Sequence, residues 1–193
     1  GLVAVKIGDK WGYVNQNGKS VIAPQFEGAE WFSEGLAAVK VQAWIYFNQK
    51  ARMYAITTQF EEIRSNPQLA SEIKVWGFID KTGNFVIAPQ FNSVGALREG
   101  LVAVQPALVW IYTDKDDKLH VTYDFEEARL NSEKPPITLP ADKPADKWGY
   151  INQAGKFVIE PKFNYALHFI EGLAVVSQDR SSFYINKEGT KIA

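Results

Sequence analysis

The chain has 193 residues, 46% hydrophobic and 13% aromatic, a composition that fills a packed core and excludes a disordered chain. Lys and Arg number 21 against 22 Asp and Glu, a net charge of −1, so neither nucleic acid nor an anionic membrane surface is an expected partner. Cysteine is absent, which excludes disulfides, thiolate metal sites and a Cys nucleophile, and no apolar run reaches the roughly 18 residues of a membrane helix.

The opening stretch, GLVAVKIGDK, carries no signal-peptide or anchor pattern, and composition does not identify a compartment. From Lys10 the chain reads KWGYVNQNGKSVIAPQF. WGYVN and SVIA are short and rich in aromatic and β-branched residues, so they predict two strands joined by a hairpin at QNGK. Gly18 supplies the left-handed residue that three- and four-residue hairpin loops need, and Pro24 is expected to close the second strand. EGAEWFSE follows, either a short further strand or an irregular crossing. SEGLAAVK then places a tight turn at Gly35 and another strand after it.

The same text returns along the chain. WIYFNQKARMYAITTQF begins at Trp44, with Ile45 where the first copy has Gly12. VWGFIDKTGNFVIAPQF begins at Val75 and REGLVAVQ at Arg98; Gly83, Pro89 and Gly100 stand in register with Gly18, Pro24 and Gly35. WIYTDKDDKLHVTYDF begins at Trp110, again with Ile (Ile111) in the glycine position. Residues 131–146, NSEKPPITLPADKPAD, contain prolines 135, 136, 140 and 144 and read as a loop insertion. KWGYINQAGKFVIEPKF starts at Lys147 and IEGLAVVS at Ile170, and SFYINKEGTKI from Ser182 ends the series with Phe183 in the marker position.

The markers Trp11, Trp44, Trp76, Trp110, Trp148 and Phe183 are 33, 32, 34, 38 and 35 residues apart. They divide the chain into one repeat domain, 1–193, with units near 1–34, 35–67, 68–99, 100–134, 135–171 and 172–193, the last incomplete. An all-β fold of tandem hairpins of about 33 residues is therefore expected. Six copies suit a propeller-like ring; the alternative is an open β-solenoid or twisted array of stacked hairpins.

The Trp-Gly-aromatic opening, the apolar-Ile-x-Pro-x-Phe middle and the Glu-Gly-Leu-Ala close resemble the bacterial WG repeat, also called the KWG repeat. The likeness is strongest in the copies from Lys10, Val75 and Lys147, and departs from the pattern at Ile45, Ile111 and Phe183. It implies a repetitive β structure used as a module or scaffold, and it brings no catalytic residues.

Residue chemistry points the same way. His120 and His168 lie in different units with no ligand spacing, and Asp114 to Lys118 (DKDDK) lacks the central Gly and distal Glu of a calcium loop. The pairs Glu61–Glu62 and Glu126–Glu127 share one repeat position, and Glu34, Glu99 and Glu171 share another, which suits an architectural role better than a unique acid–base pair. No catalytic, cofactor or metal site is expected, and no enzyme activity. The register tryptophans are expected to be core pillars. Trp31, in polar company and without a Trp counterpart, is the candidate contact residue. The expected function is a non-catalytic interaction or scaffold module whose partner is another protein. The alternative is a carbohydrate- or cell-envelope-binding module using exposed aromatics.

Overall fold

In a computed structural model, the described residues are 1–48, 53–58, 70–107, 109–116, 119–122, 130–132, 137–139 and 146–192. They form eighteen strands, and every strand pairing is antiparallel.

The first hairpin sets the pattern. Strand β1 (Val3–Ile7) turns through Gly8 and Asp9 into β2 (Lys10–Val14), which pairs with β3 (Ser20–Phe26). In the loop after β2, Asn15 Oδ1 accepts from the N–H groups of Asn17 and Lys19 at 3.0 Å, and Gly18 at φ 75° closes the turn. Asp80 and Asn152 organise the equivalent loops in the same way. The short strand β4 (Gly28–Ala29) then pairs with the start of β5 (Ala37–Asn48), so part of the EGAEWFSE stretch is a strand. Ser33 to Leu36 forms the turn between them, with Glu34 and Gly35 both at positive φ.

The proline does not end its strand. β3 runs through Pro24 to Phe26, and β8 (Phe85–Val94) and β14 (Phe157–Phe163) run through Pro89 and Pro161. Each proline sits at a register shift, between the Trp11–Phe26 and Tyr13–Ile22 pairs in the first hairpin. There the ladder is already interrupted and the missing N–H costs nothing.

The same bulge explains the glycine of Trp-Gly. A Cβ on Gly12 would lie 2.5 Å from the Ile22 carbonyl oxygen and 2.7 Å from the Pro24 nitrogen; Gly77 and Gly149 meet the same backbone atoms of their own return strands at 2.6 to 2.8 Å. Only a residue without a side chain lets the return strand cross this closely.

Strand pairing links one strong copy to the next. Ala37, Ala38, Val39 and Lys40 of β5 pair with Ile79, Phe78, Gly77 and Trp76 of β7 (Ala70–Ile79), the register in which β1 meets β2. Likewise Val102 to Val104 of β9 (Leu101–Pro106) pair with Ile151 to Gly149 of β13 (Trp148–Asn152). The copies at Trp44 and Trp110 therefore lie on excursions between these paired strands. In the first excursion β5 and β7 continue side by side to the Tyr46–Ala70 pair, and β6 (Met53–Thr57) lines the other edge of β5. The second contains its own sheet of β10 (Val109–Thr113), β11 (Leu119–Thr122) and β12 (Ile137–Leu139). The strand β12 falls within the expected loop 131–146; the four prolines of that loop lie outside the described residues.

Three equivalent cores result. The first gathers Tyr13, Ile22, Phe26, Ala37, Val39 and Ile79, with Leu2, Ala4 and Phe32 packed against it. The second holds Phe78, Ile87 and Phe91 in the same roles, and the third Tyr150, Ile159 and Phe163. Each buried aromatic contributes about 2–3 kcal/mol of apolar burial. Neighbouring hairpins also interlock: Gly83, Gly155 and Gly189 lie against the side chains of Ile22, Ile87 and Ile159.

The last strands, β15 (Tyr165–Ala166), β16 (Ala174–Gln178), β17 (Ser181–Ile185) and β18 (Lys191–Ile192), form a separate four-stranded sheet. Sheet order follows open paths: β1 and β18 are edges of different sheets. The array is the open, twisted stack of hairpins rather than the ring. Each connecting ladder leads to the next hairpin, and none among the described residues joins the last to the first.

Candidate functional site

Trp31 is the most exposed of the described tryptophans, at 70%. It lies in the segment from β4 to the Ser33–Leu36 turn, while its neighbour Phe32 turns inward and meets Tyr13 edge-on at 4.8 Å. The alternation of strand-like backbone sends Phe32 into the core and Trp31 out. Trp31 lines a cavity of about 280 Å³ between the first and second strong units, with Glu30 and Ser33 on one side, Val94 to Arg98 on the other, and Leu36, Ala38 and Phe78 at its base. One wall is pinned, since Ser33 Oγ donates to the Leu97 carbonyl at 2.8 Å. Counted back from the turn glycines Gly35, Gly100 and Gly172, the place of Trp31 is taken by Ala96 and His168 in the later units.

The register tryptophans have another setting. Trp11, Trp76 and Trp148 are half-buried and each packs against one core from its rim. Lys40 lies over the ring of Trp76 at 5.7 Å. Trp44 is half-buried on β5, and the side chain of Trp110 lies outside the described residues. Phe183 is not the equivalent of these tryptophans. It pairs with Val176 and Tyr184 with Val175, as Gly12 pairs with Val5 and Tyr13 with Ala4. Phe183 thus stands in the glycine position, one residue beyond the marker, where it also packs on the third core.

The deeper pillars are the aromatics two residues after each tryptophan: Tyr13, Phe78 and Tyr150. Tyr13 donates its hydroxyl to the Glu30 carbonyl at 2.8 Å and Tyr150 to the Leu167 carbonyl at 2.7 Å. Burial pushes both phenols up, and the Glu30 carboxylate adds to the effect at Tyr13. An aromatic residue repeated two positions after each of these tryptophans was the available signal.

A carboxylate ladder joins the Glu-Gly-Leu turns. Glu34 Oε2 accepts from Gly100 N–H at 2.9 Å and from Gln153 Nε2 at 3.0 Å. Glu99 Oε2 accepts from Gly172 N–H at 3.0 Å and pairs with Lys187 Nζ at 3.0 Å. Hydrogen bonding from Lys187, with help from Gly172 N–H, holds the Glu99 carboxyl below its ordinary range. These glutamates occupy positive φ of 50 to 53°, a conformation costing an L-residue about 1–2 kcal/mol. The side-chain bonds across units give a physical reason for glutamate there. Glu27 forms a second cluster, bonded by Lys10 and by Lys74 at 3.1 Å, and these bonds hold its carboxyl low.

His120 Nε2 lies 2.7 Å from Asp114 Oδ2, and Asp114 also accepts from Asp116 N–H, so DKDDK opens as an ordinary turn. His168 is exposed. Glu61, Glu62, Glu126 and Glu127 lie outside the described residues. Among the described residues there is no group of three metal-ligating side chains, and no helix is long and apolar enough to cross a membrane.

The family described as WG containing repeat matches three times, over residues 11–42, 76–105 and 148–180. The chain belongs to the WG-repeat family. The three matches are the three bulged hairpins with their following turns, and the excursions at Trp44 and Trp110 fall between them. No curated protein and no solved structure matches the chain.

Proposed function

We propose that this WG-repeat chain is a non-catalytic protein-interaction module whose contact surface centres on Trp31. The observation carrying this reading is the pairing of a 70%-exposed indole with a concave wall between two interlocked units. Large aromatics beside a formed pocket are the usual anchors of protein interfaces, and a stacked β array presents them on a rigid surface. The test compares wild-type and Trp31→Ala protein as paired baits. A partner held by the wild type and lost from a Trp31→Ala variant of unchanged melting temperature supports the reading. Identical captures from both baits contradict it.

A second reading, a carbohydrate- or cell-envelope-binding module, draws on the same indole, because a flat ring flanked by Glu30, Ser33 and Arg98 offers both stacking and hydrogen bonding. Glycan-array binding that depends on Trp31 would favour it over the first.

A further inference from the structure

In the second bulged unit the crossing segment is pared down. Counted back from the turn glycines Gly35, Gly100 and Gly172, Gly95 stands where the sister units have Glu30 and Leu167, and Ala96 where they have Trp31 and His168. No backbone demand explains this glycine. Its φ is not in the left-handed region, and a Cβ there would meet Ala103 at 3.4 Å, an ordinary contact. A side chain at this position is compatible with the fold, and the chain leaves it out.

The same unit lacks a hydroxyl. Tyr13 donates to the Glu30 carbonyl at 2.8 Å and Tyr150 to the Leu167 carbonyl at 2.7 Å. Phe78 holds their place, pairing with Ala38 as Tyr13 pairs with Ala4 and Tyr150 with Ala103. The Gly95 carbonyl therefore goes without the bond that its two counterparts receive. Phe78, Gly95 and Ala96 all line the cavity of about 280 Å³ beside Trp31. Three reductions thus meet at one cavity, each removing atoms that the sister units keep.

We propose that this cavity receives a tyrosine side chain of a partner polypeptide, an inference that rests on the interaction reading above and names the partner's anchor. The incoming ring lies on Leu36, Ala38 and Phe78 beside the Trp31 indole. Its phenol donates to the Gly95 carbonyl, as Tyr13 and Tyr150 donate within their own units. Size selects a single side chain, since about 280 Å³ falls short of the roughly 300–1,000 Å³ of small-molecule pockets. Charge selects a neutral one. Glu30 on one wall and Arg98 on the other are opposite in sign, so the walls complement a dipolar hydroxyl better than a net charge. Tyrosine combines the apolar ring with the donor at its tip.

The probe is N-acetyl-tyrosinamide, titrated into the full 193-residue chain and followed by backbone amide shifts in NMR. Saturable shifts at Gly95 to Arg98 are expected, with a Kd of about 1 mM. N-acetyl-phenylalaninamide should bind about fivefold more weakly for want of the hydroxyl. Phe78→Tyr restores the sister units' residue and its bond, so it should keep or raise the melting temperature while weakening the tyrosine probe about tenfold. Gly95→Leu, which fills the cavity with the third unit's side chain, should weaken the probe as much. No saturable binding, equal binding of the two probes, or full affinity in both variants overturns the inference. So does self-association of the free chain that Phe78→Tyr abolishes, because it assigns the cavity to a second copy. A captured partner lost from Trp31→Ala but kept by Phe78→Tyr overturns this inference alone. Identical captures from wild-type and Trp31→Ala baits overturn the interaction reading beneath it.

Discussion

The hairpin at Trp76 and the hairpin at Trp44 share a marker tryptophan and differ in the next residue, Gly77 against Ile45. In the first the return strand is bulged: the ladder shifts between the Trp76–Phe91 and Phe78–Ile87 pairs, and backbone crosses directly over the glycine. In the second the ladder runs unbroken from Trp44–Thr57 to Asn48–Met53, and Ile45 is fully buried. One position thus has opposite requirements. A bulged partner demands no side chain, and a straight partner leaves room that a large one fills.

The largest effect that tests this contrast is Gly77→Ala. Its Cβ would meet the Ile87 carbonyl oxygen and the Pro89 nitrogen at 2.8 Å, backbone atoms with no rotamer to yield. A loss of about 4 kcal/mol is expected in denaturant unfolding; a neutral outcome breaks the contrast. Ile45→Ala runs the other way, removing volume, and should cost about 3 kcal/mol through the cavity it leaves. If instead the smaller residue is tolerated at Ile45, the straight arm does not depend on that side chain.

Smaller effects sharpen the picture inside the bulged units. Tyr150→Phe converts the third core to the chemistry of Phe78 and leaves the Leu167 carbonyl without its 2.7 Å donor, a loss of about 1.5 kcal/mol. The mildest change is at the ladder. Because the Glu99 carboxyl is held below its ordinary range in the folded chain, its contribution is complete above that ordinary range and disappears as pH falls through the lowered value. Glu99→Gln should therefore lower the melting temperature slightly at neutral pH and converge with wild type in acid, which flattens the acid limb of the profile. An acid limb identical to wild type would remove Glu99 from the account.

Much of this architecture was legible in the sequence. Local chemistry sets the hairpin loops, so Gly18, Gly83 and Gly155 with Asn15, Asp80 and Asn152 announced them, and alternation announced the strands. The role of Gly12, Gly77 and Gly149 was hidden because it depends on where a strand about ten residues later crosses. Pro24, Pro89 and Pro161 read as strand ends for the same reason, since the bulge that admits a proline is a property of two strands. The matched spacing made the copies at Trp44 and Trp110 look like peers of the others. The Val39–Gly77 pairing passes the Trp44 copy by and the Val104–Gly149 pairing passes the Trp110 copy by, and pairing over such distances leaves no local mark. Trp31 was visible as an oddity, while its cavity required the second unit's Val94–Arg98 wall.

The central claim is that the chain advances from one bulged hairpin to the next through the β5–β7 ladder, with the Trp44 copy as an excursion. Replacing residues 42–74 by the Gly-Asp turn that joins β1 to β2 tests it most directly, because Val41 and Val75 pair as Ile7 and Lys10 do. The account predicts a shortened chain that keeps its β circular dichroism and unfolds in one sharp thermal transition, with the Tyr13, Phe78 and Tyr150 cores intact. A shortened chain that fails to fold, or loses cooperative melting, would contradict it.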